Sequence, residues 1–169
     1  GIDLIGSIVI LAPIARLIAT GLTPVVNNTL IKIGDIIQSS TDANPLIMGI
    51  VLGGIITVVG TAPLSSMALT ALLGLTGAPM AIGAMAAFSS AFMNSALFHR
   101  LKLGDRKSTI SVGIEPLSQA DIVSANPIPI YVTNFFGGAI AGIIIAWSGM
   151  INNATGTATP IAGFLVDRK

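Results

Sequence analysis

Residues 43–99 read ANPLIMGIVLGGIITVVGTAPLSSMALTALLGLTGAPMAIGAMAAFSSAFMNSALFH and contain no Asp, Glu, Lys or Arg. One transmembrane helix needs roughly 20 apolar residues, so this block has length for two or three passes through a bilayer. Residues 122–166 form a second charge-free block, long enough for about two more passes. Over the whole chain 53% of residues are hydrophobic and 9% charged, and the mean hydropathy is +0.90. Soluble domains carry about 25% charged residues. Eight Lys and Arg and seven Asp and Glu among 169 residues are too few to give a soluble fold its charged skin. The composition therefore predicts an all-α integral membrane protein. We read it as a multi-span helical bundle with re-entrant or broken helices, in one membrane domain over residues 1–169.

Residues 43–60 are the clearest span, about 27 Å long at 1.5 Å per residue. Gly49 and Gly53 make a GxxxG pair inside it, which permits close helix approach. Residues 64–75 are apolar but too short to cross about 30 Å of hydrocarbon, which predicts a re-entrant half-helix. Residues 80–101 follow as a span with Ala84, Ala87 and Ala91 on one stripe. Residues 128–151 are the last span, with Tyr131 and Trp147 near its ends and a second GxxxG at Gly138 and Gly142. Upstream, residues 4–15 are interrupted by Pro13 and Arg16, and Thr23-Pro24 is expected to break the chain before an amphipathic helix over 25–39. Arg16 is either a snorkelling end or a buried cation.

His99, Arg100, Lys102, Arg106 and Lys107 face a single Asp105. By the positive-inside rule this places residues 99–127, read as a polar loop, on the cytoplasmic side. A pattern recurs at 20–24, 60–63, 76–79 and 156–160, where a Gly and small or hydroxyl residues precede a Pro. Such interruptions are either turns at the membrane surface or the unwound points of discontinuous helices that meet substrate.

Several functions are excluded. A net charge of +1, with one Trp and one Tyr, offers no nucleic-acid surface. No Cys and a single His rule out disulfides, thiolate sites and a multi-His metal centre. No P-loop is present, and no cofactor is expected. The chain begins at Gly1, which reads as processing or as a piece of a longer protein.

The segment Gly113-Ile114-Glu115-Pro116-Leu117 lies between the basic stretch and a span. Glu115, stiffened by the following Pro, is either an ordinary solvated carboxylate or an acceptor for sugar hydroxyls. Asp121 is a second carboxylate nearby, either its partner or solvated. Asn94 and Asn134 lie inside apolar spans as helix glue or as the lining of a path. Asn126, Asn152, Asn153 and Thr61 flank spans and are placed to meet hydroxyls. His99 reads as interfacial.

Gly-Ile-Glu-Pro resembles the Gly-Ile-Thr-Glu-Pro segment of the IIC permeases of the bacterial phosphotransferase system, without its Thr. Residues 59–66, 100–105, 125–129 and 152–160 resemble the branch of that family that includes the perfringolysin regulator of clostridia. The resemblance implies a sugar permease in the bacterial cytoplasmic membrane. A separate IIB phosphocarrier would phosphorylate the bound carbohydrate, and the permease would carry no phosphorylated residue of its own. A glutamate in the place of Glu115 would contact the sugar from a re-entrant segment. The resemblance also implies a homodimer in the lipid bilayer. Two other classes stay open: a small-solute transporter that does not phosphorylate, and a membrane sensor that regulates gene expression.

Overall fold

A computed structural model describes residues 2–41, 44–62, 64–156, 158–159 and 167–168. The chain forms two compact units, Gly1–Asp35 and Ile36–Lys169.

The first unit lies within helix α1, Ile2–Thr41. Pro13 and Pro24 both sit inside it. The break expected at Thr23-Pro24 is therefore absent, and residues 25–39 continue the same helix rather than forming their own. Proline removes one helical hydrogen bond and bends a helix, but an apolar helix still satisfies its other backbone groups internally and has no better alternative in lipid. Hydroxyls in this region fold back onto the helix: Thr20 donates to Arg16 O at 2.8 Å, and Thr23 to Ala19 O at 2.7 Å. Arg16 is exposed.

The second unit is built on three long helices: α2 (Pro45–Thr61), α4 (Gly77–Leu101) and α7 (Pro127–Ser148). They pack against one another in all three pairings. Asn44 starts α2 by accepting from Ile47 N at 3.0 Å, with Pro45 at the position where its missing N–H costs nothing. Among the described residues, Ile10–Ile37, Gly77–Leu101 and Pro127–Ser148 are long and apolar enough to cross a membrane. Pro45–Thr61, at 17 residues, is at the short end of that range.

The two GxxxG motifs interlock with each other inside the chain. A Cβ added to Gly49 would lie 2.7 Å from Gly142 O, and one added to Gly53 would overlap Gly138 O. Positions 49 and 53 meet 142 and 138, so α2 and α7 run antiparallel with backbones in contact. Only glycine allows this approach, and dispersion between the close-packed backbones holds it. The close helix approach that the GxxxG glycines permit is thus made within one chain.

Helix α7 shows how the bundle is sided. Asn134, Gly138, Gly142 and Ile145 face inward. Phe136, Ile140, Ile144 and Trp147 face outward and are exposed. The inward face carries the small and polar groups together with Ile145, while the outward face is made of large apolar side chains, the arrangement that suits a hydrocarbon solvent.

Short elements connect the spans: α3 (Ser66–Leu72), α5 (Arg106–Ile114), a 3-10 turn (Pro116–Gln119) and α6 (Ala120–Ala125). The stretch 99–127, expected as a loop, is therefore mostly helical. Asp105 starts α5: its carboxylate accepts from Ser108 N at 2.8 Å and Ser108 Oγ at 3.0 Å. Such capping outweighs any preference for a coil. Of residues 76–79, read as a surface turn or the unwound point of a discontinuous helix, Thr76 precedes α4 and Gly77 opens it. Of residues 64–75, expected as a re-entrant half-helix, Ser66–Leu72 form the shorter helix α3, capped by Ser65, which accepts from Ala68 N at 3.1 Å. Two residues, Met150–Ile151, pair antiparallel with Asp167–Arg168, a pairing the composition does not signal.

Candidate functional site

Glu115 ends α5 and begins the 3-10 turn. Its N–H donates to Ser111 O at 2.8 Å, and its carbonyl accepts from Ser118 N at 3.0 Å. Its Oε1 accepts from Leu117 N at 3.3 Å. Pro116 follows at the turn's first position and is buried. The backbone at Glu115 is thus held from both sides while its carboxylate stays exposed. Gly113 explains why α5 sits so close to α4: a Cβ there would overlap Ser95 Oγ and lie 3.2 Å from Ala91 O.

This arrangement brings Glu115 into the wall of a cavity of about 60 Å³. Gly60, Leu64, Ser65, Ser66 and Met67 come to it from the α2–α3 connection and the start of α3, Ala87 and Ser90 from α4, and Ala158 and Thr159 from the C-terminal segment. Ser66 Oγ donates to Ala158 O at 2.7 Å, and Thr155 Oγ1 donates to Thr70 O at 3.2 Å, which fasten that segment to α3. Two of the four Gly-to-Pro patterns, at 60–63 and 156–160, therefore meet beside Glu115. Pro63, Thr157 and Pro160 lie outside the described residues. Of the other two patterns, the one at 20–24 lies within α1 and the one at 76–79 opens α4.

The chemistry of the wall is set by which hydrogens are already engaged. Ser66 gives its hydroxyl hydrogen to Ala158 O, and Ser90 gives its own to Ala87 O at 2.7 Å. Both oxygens keep lone pairs for a ligand. Glu115 Oε2 has no partner among the described residues. Ser65 Oγ already accepts, so its hydrogen is available to give. Among Glu115, Ser65, Ser66 and Ser90 the wall thus offers mainly acceptors, one of them charged, with the Ser65 hydroxyl as a donor.

The other candidate residues lie elsewhere. Thr61 is fully buried, donates to Thr57 O at 2.8 Å and accepts from Asn94 Nδ2 at 3.2 Å. Asn134 Nδ2 donates to Asn94 Oδ1 at 2.7 Å and to Ile130 O at 2.9 Å. Thr57 Oγ1 reaches Asn134 O at 2.8 Å. These bonds tie α2, α4 and α7 together, so Asn94 and Asn134 do the work of helix glue. Asn134 Oδ1 is buried and has no hydrogen-bond partner among the described residues. Asn126 Nδ2 donates to Ile122 O at 3.0 Å and closes α6. Asn152 is buried and bridges to Gly77 through backbone bonds of 2.8 and 3.0 Å. Asn153 and Asp121 are exposed. Of the five residues expected at a sugar, Glu115 alone lines this cavity. Ser90 was not expected there. Its signal was the hydroxyl pair Ser89-Ser90 inside an apolar span.

A family model described as phosphotransferase system, EIIC, matches residues 1–167. The chain belongs to this family. No curated protein and no solved structure matches it. The EIIC chain is therefore a multi-pass membrane protein and a sugar permease component of a phosphotransferase system, a membrane-embedded part that works with IIB components. Its helical bundle agrees with that assignment, and its inward-facing glycines and amides hold the bundle closed around α2, α4 and α7.

Proposed function

We propose that the EIIC chain binds a carbohydrate at the cavity beside Glu115 and presents it there for phosphorylation by a IIB phosphocarrier on the cytoplasmic side of a bacterial inner membrane. The supporting observation is the convergence of Glu115, Ser65, Ser66 and Ser90 on one cavity. A ligand made of hydroxyls both donates and accepts, which suits acceptors whose own hydrogens are engaged. A carboxylate acceptor forms bonds about twice as strong as a neutral one. At about 60 Å³ the cavity has room for a few water molecules. Binding a hexose therefore requires it to widen. Two of its walls, the 3-10 turn and residues 158–159, lie outside the three long helices and are the parts that move. Alternating access then follows from motion of one body against another. Thr61 and Asn152 contribute indirectly, Thr61 by tying α2 to α4 and Asn152 by bonding to Gly77 at the start of α4. The functional unit is a homodimer, formed through surfaces other than the two GxxxG motifs.

The test is a thermal-shift screen of the full-length protein in detergent against a panel of sugars. A ligand that binds only the folded state stabilises it by about 2.7 kcal/mol at a hundredfold excess over its Kd. One sugar is expected to raise the midpoint, and Glu115→Gln to abolish the shift. Product formation is then measured with phosphoenolpyruvate and the general phosphotransferase proteins. Sugar phosphate that requires them supports the proposal. Uptake without phosphorylation favours a simple transporter. A well-folded protein that responds to no sugar favours a sensor.

A further inference from the structure

The opposite end of α5 carries a second feature. A cleft of about 620 Å³ opens where α4 ends, lined by Phe98, His99, Lys102, Asp105, Arg106 and Thr109 among others. Lys102 lines it from the left-handed residue, φ 53°, at which the chain leaves α4. Asp105 is the one carboxylate in the wall, and it is engaged in capping α5 through Ser108. Among the described residues, His99, Lys102 and Arg106 are paired with no carboxylate. With Lys102, Arg106 and His99 set against the single carboxylate of Asp105, the wall keeps an excess of positive charge, which makes this large, open cleft a site for an anion.

The surroundings say which anion. Arg106, Ile110 and Ile114 follow one another at four-residue spacing on one face of α5. Ile110 is 56% exposed and Ile114 62%. Leu101, beside Lys102 at the end of α4, is also exposed. A cation at one end of an apolar row is the pattern of a helix lying in the membrane interface, with its charge at headgroup level and its isoleucines among acyl chains. Helix α5 is nine residues long, about 13 Å, and the cleft and Glu115 are at its two ends. A phosphoryl group held in the cleft would be far outside the roughly 3 Å needed to react with a sugar beside Glu115. The cleft is thus separate from the sugar cavity and does not depend on that reading.

We propose that the cleft formed by His99, Lys102 and Arg106 binds the phosphodiester headgroup of an anionic membrane lipid, whose chains lie along Leu101 and Ile110. Basic pockets at the cytoplasmic ends of transmembrane helices recognise such headgroups by charge, at close range. The bound lipid pins α5 to the membrane surface and so fixes the base from which Glu115 projects.

The experiment uses the full-length protein in a zwitterionic detergent, titrated with phosphatidylglycerol, phosphatidylcholine or inorganic phosphate. Retained lipid is counted by native mass spectrometry, and the thermal midpoint is followed in parallel. Wild type is expected to hold phosphatidylglycerol on the order of tenfold more tightly than phosphatidylcholine. The double variant Lys102→Gln, Arg106→Gln is expected to lose that preference while its midpoint in lipid-free detergent is unchanged. The exchange Lys102→Arg, Arg106→Lys is expected to keep it. Should the double variant fail to fold, each single variant is expected to lose part of the preference. Equal retention of the two lipids by wild type overturns the proposal, as does full preference in variants lacking the charges. Inorganic phosphate raising the midpoint as much as phosphatidylglycerol does would also overturn it, by showing that a free anion is the ligand.

Discussion

Two clusters of polar side chains differ in what they have left to bind. Around Asn94 and Asn134, amides and hydroxyls from α2, α4 and α7 bond to one another and to helix carbonyls. The cluster closes on itself, with Asn134 Oδ1 enclosed and out of reach. Around Glu115, the polar atoms sit on a cavity wall with acceptor capacity open to a ligand. The contrast teaches that a polar residue in a membrane bundle does not by itself mark a site. The unused hydrogen-bonding capacity and its access to space mark one.

The comparison can be broken most forcefully at the glycines that hold the first cluster together. Gly53→Leu puts a side chain where Gly138 O already lies. The helices must separate and the amide bonds between them lengthen. We expect a loss of about 3 kcal/mol or more, read as a collapsed thermal midpoint and aggregation on size exclusion. A well-folded Gly53→Leu protein would show that the close crossing is not needed. Glu115→Gln is expected to do the reverse. It removes a charged acceptor worth about 1.5–3 kcal/mol in binding, yet it changes an exposed residue, so stability should move by less than about 0.5 kcal/mol. Isothermal titration of the sugar found in the screen, beside unfolding of the same sample, separates the two quantities. Asn134→Ala is expected to cost about 1–2 kcal/mol, because Asn94 Oδ1 loses its donor in a buried setting. Sugar affinity in the surviving folded fraction should stay within about twofold, a margin set by the usual independence of distant sites. A selective loss of binding would mean that the two clusters are one.

The smallest effect lies at Asp105. Hydrogen bonds from the Ser108 backbone and then its hydroxyl hold this carboxyl below its ordinary value of 3.8. The folded state thus prefers the ionised form. The cap's contribution is complete above 3.8 and is lost as pH falls through the lowered folded value. Hydrogen exchange at Ser108 N should accelerate, relative to the interior of α4, only in that acidic window. Asp105→Asn should remove the pH dependence and keep most of the cap, since Asn caps almost as well.

Much of the architecture was legible because lipid imposes a simple demand on composition. Charge-free runs at 43–99 and 122–166 announce spans, and the basic residues at 99–107 announce an end of one. The GxxxG motifs announced close packing, but not with whom: Gly49 and Gly53 could face another copy or another helix, and spacing is the same in both cases. The break at Pro24 was misjudged because proline's local cost was weighed without the long apolar helix around it. The capped helices of 99–127 were missed because polar sequence resembles loop sequence until Asp105 is seen bonded to Ser108.

At the site, Glu115 was legible from its motif and from the proline that follows it. Ser90 was not, since a hydroxyl on an apolar helix bonds back to its own turn as often as it faces a cavity, and here it does both. The sequence alone determined that this protein lives in a membrane, where its main apolar spans after residue 43 lie and which residues could not be left in lipid, because transfer from water depends on local composition. Only the tertiary structure decided that Glu115 meets the segments at 60–67 and 158–159 while Thr61 turns into the core, because those placements follow from how helices far apart in sequence cross and which atoms have already found partners.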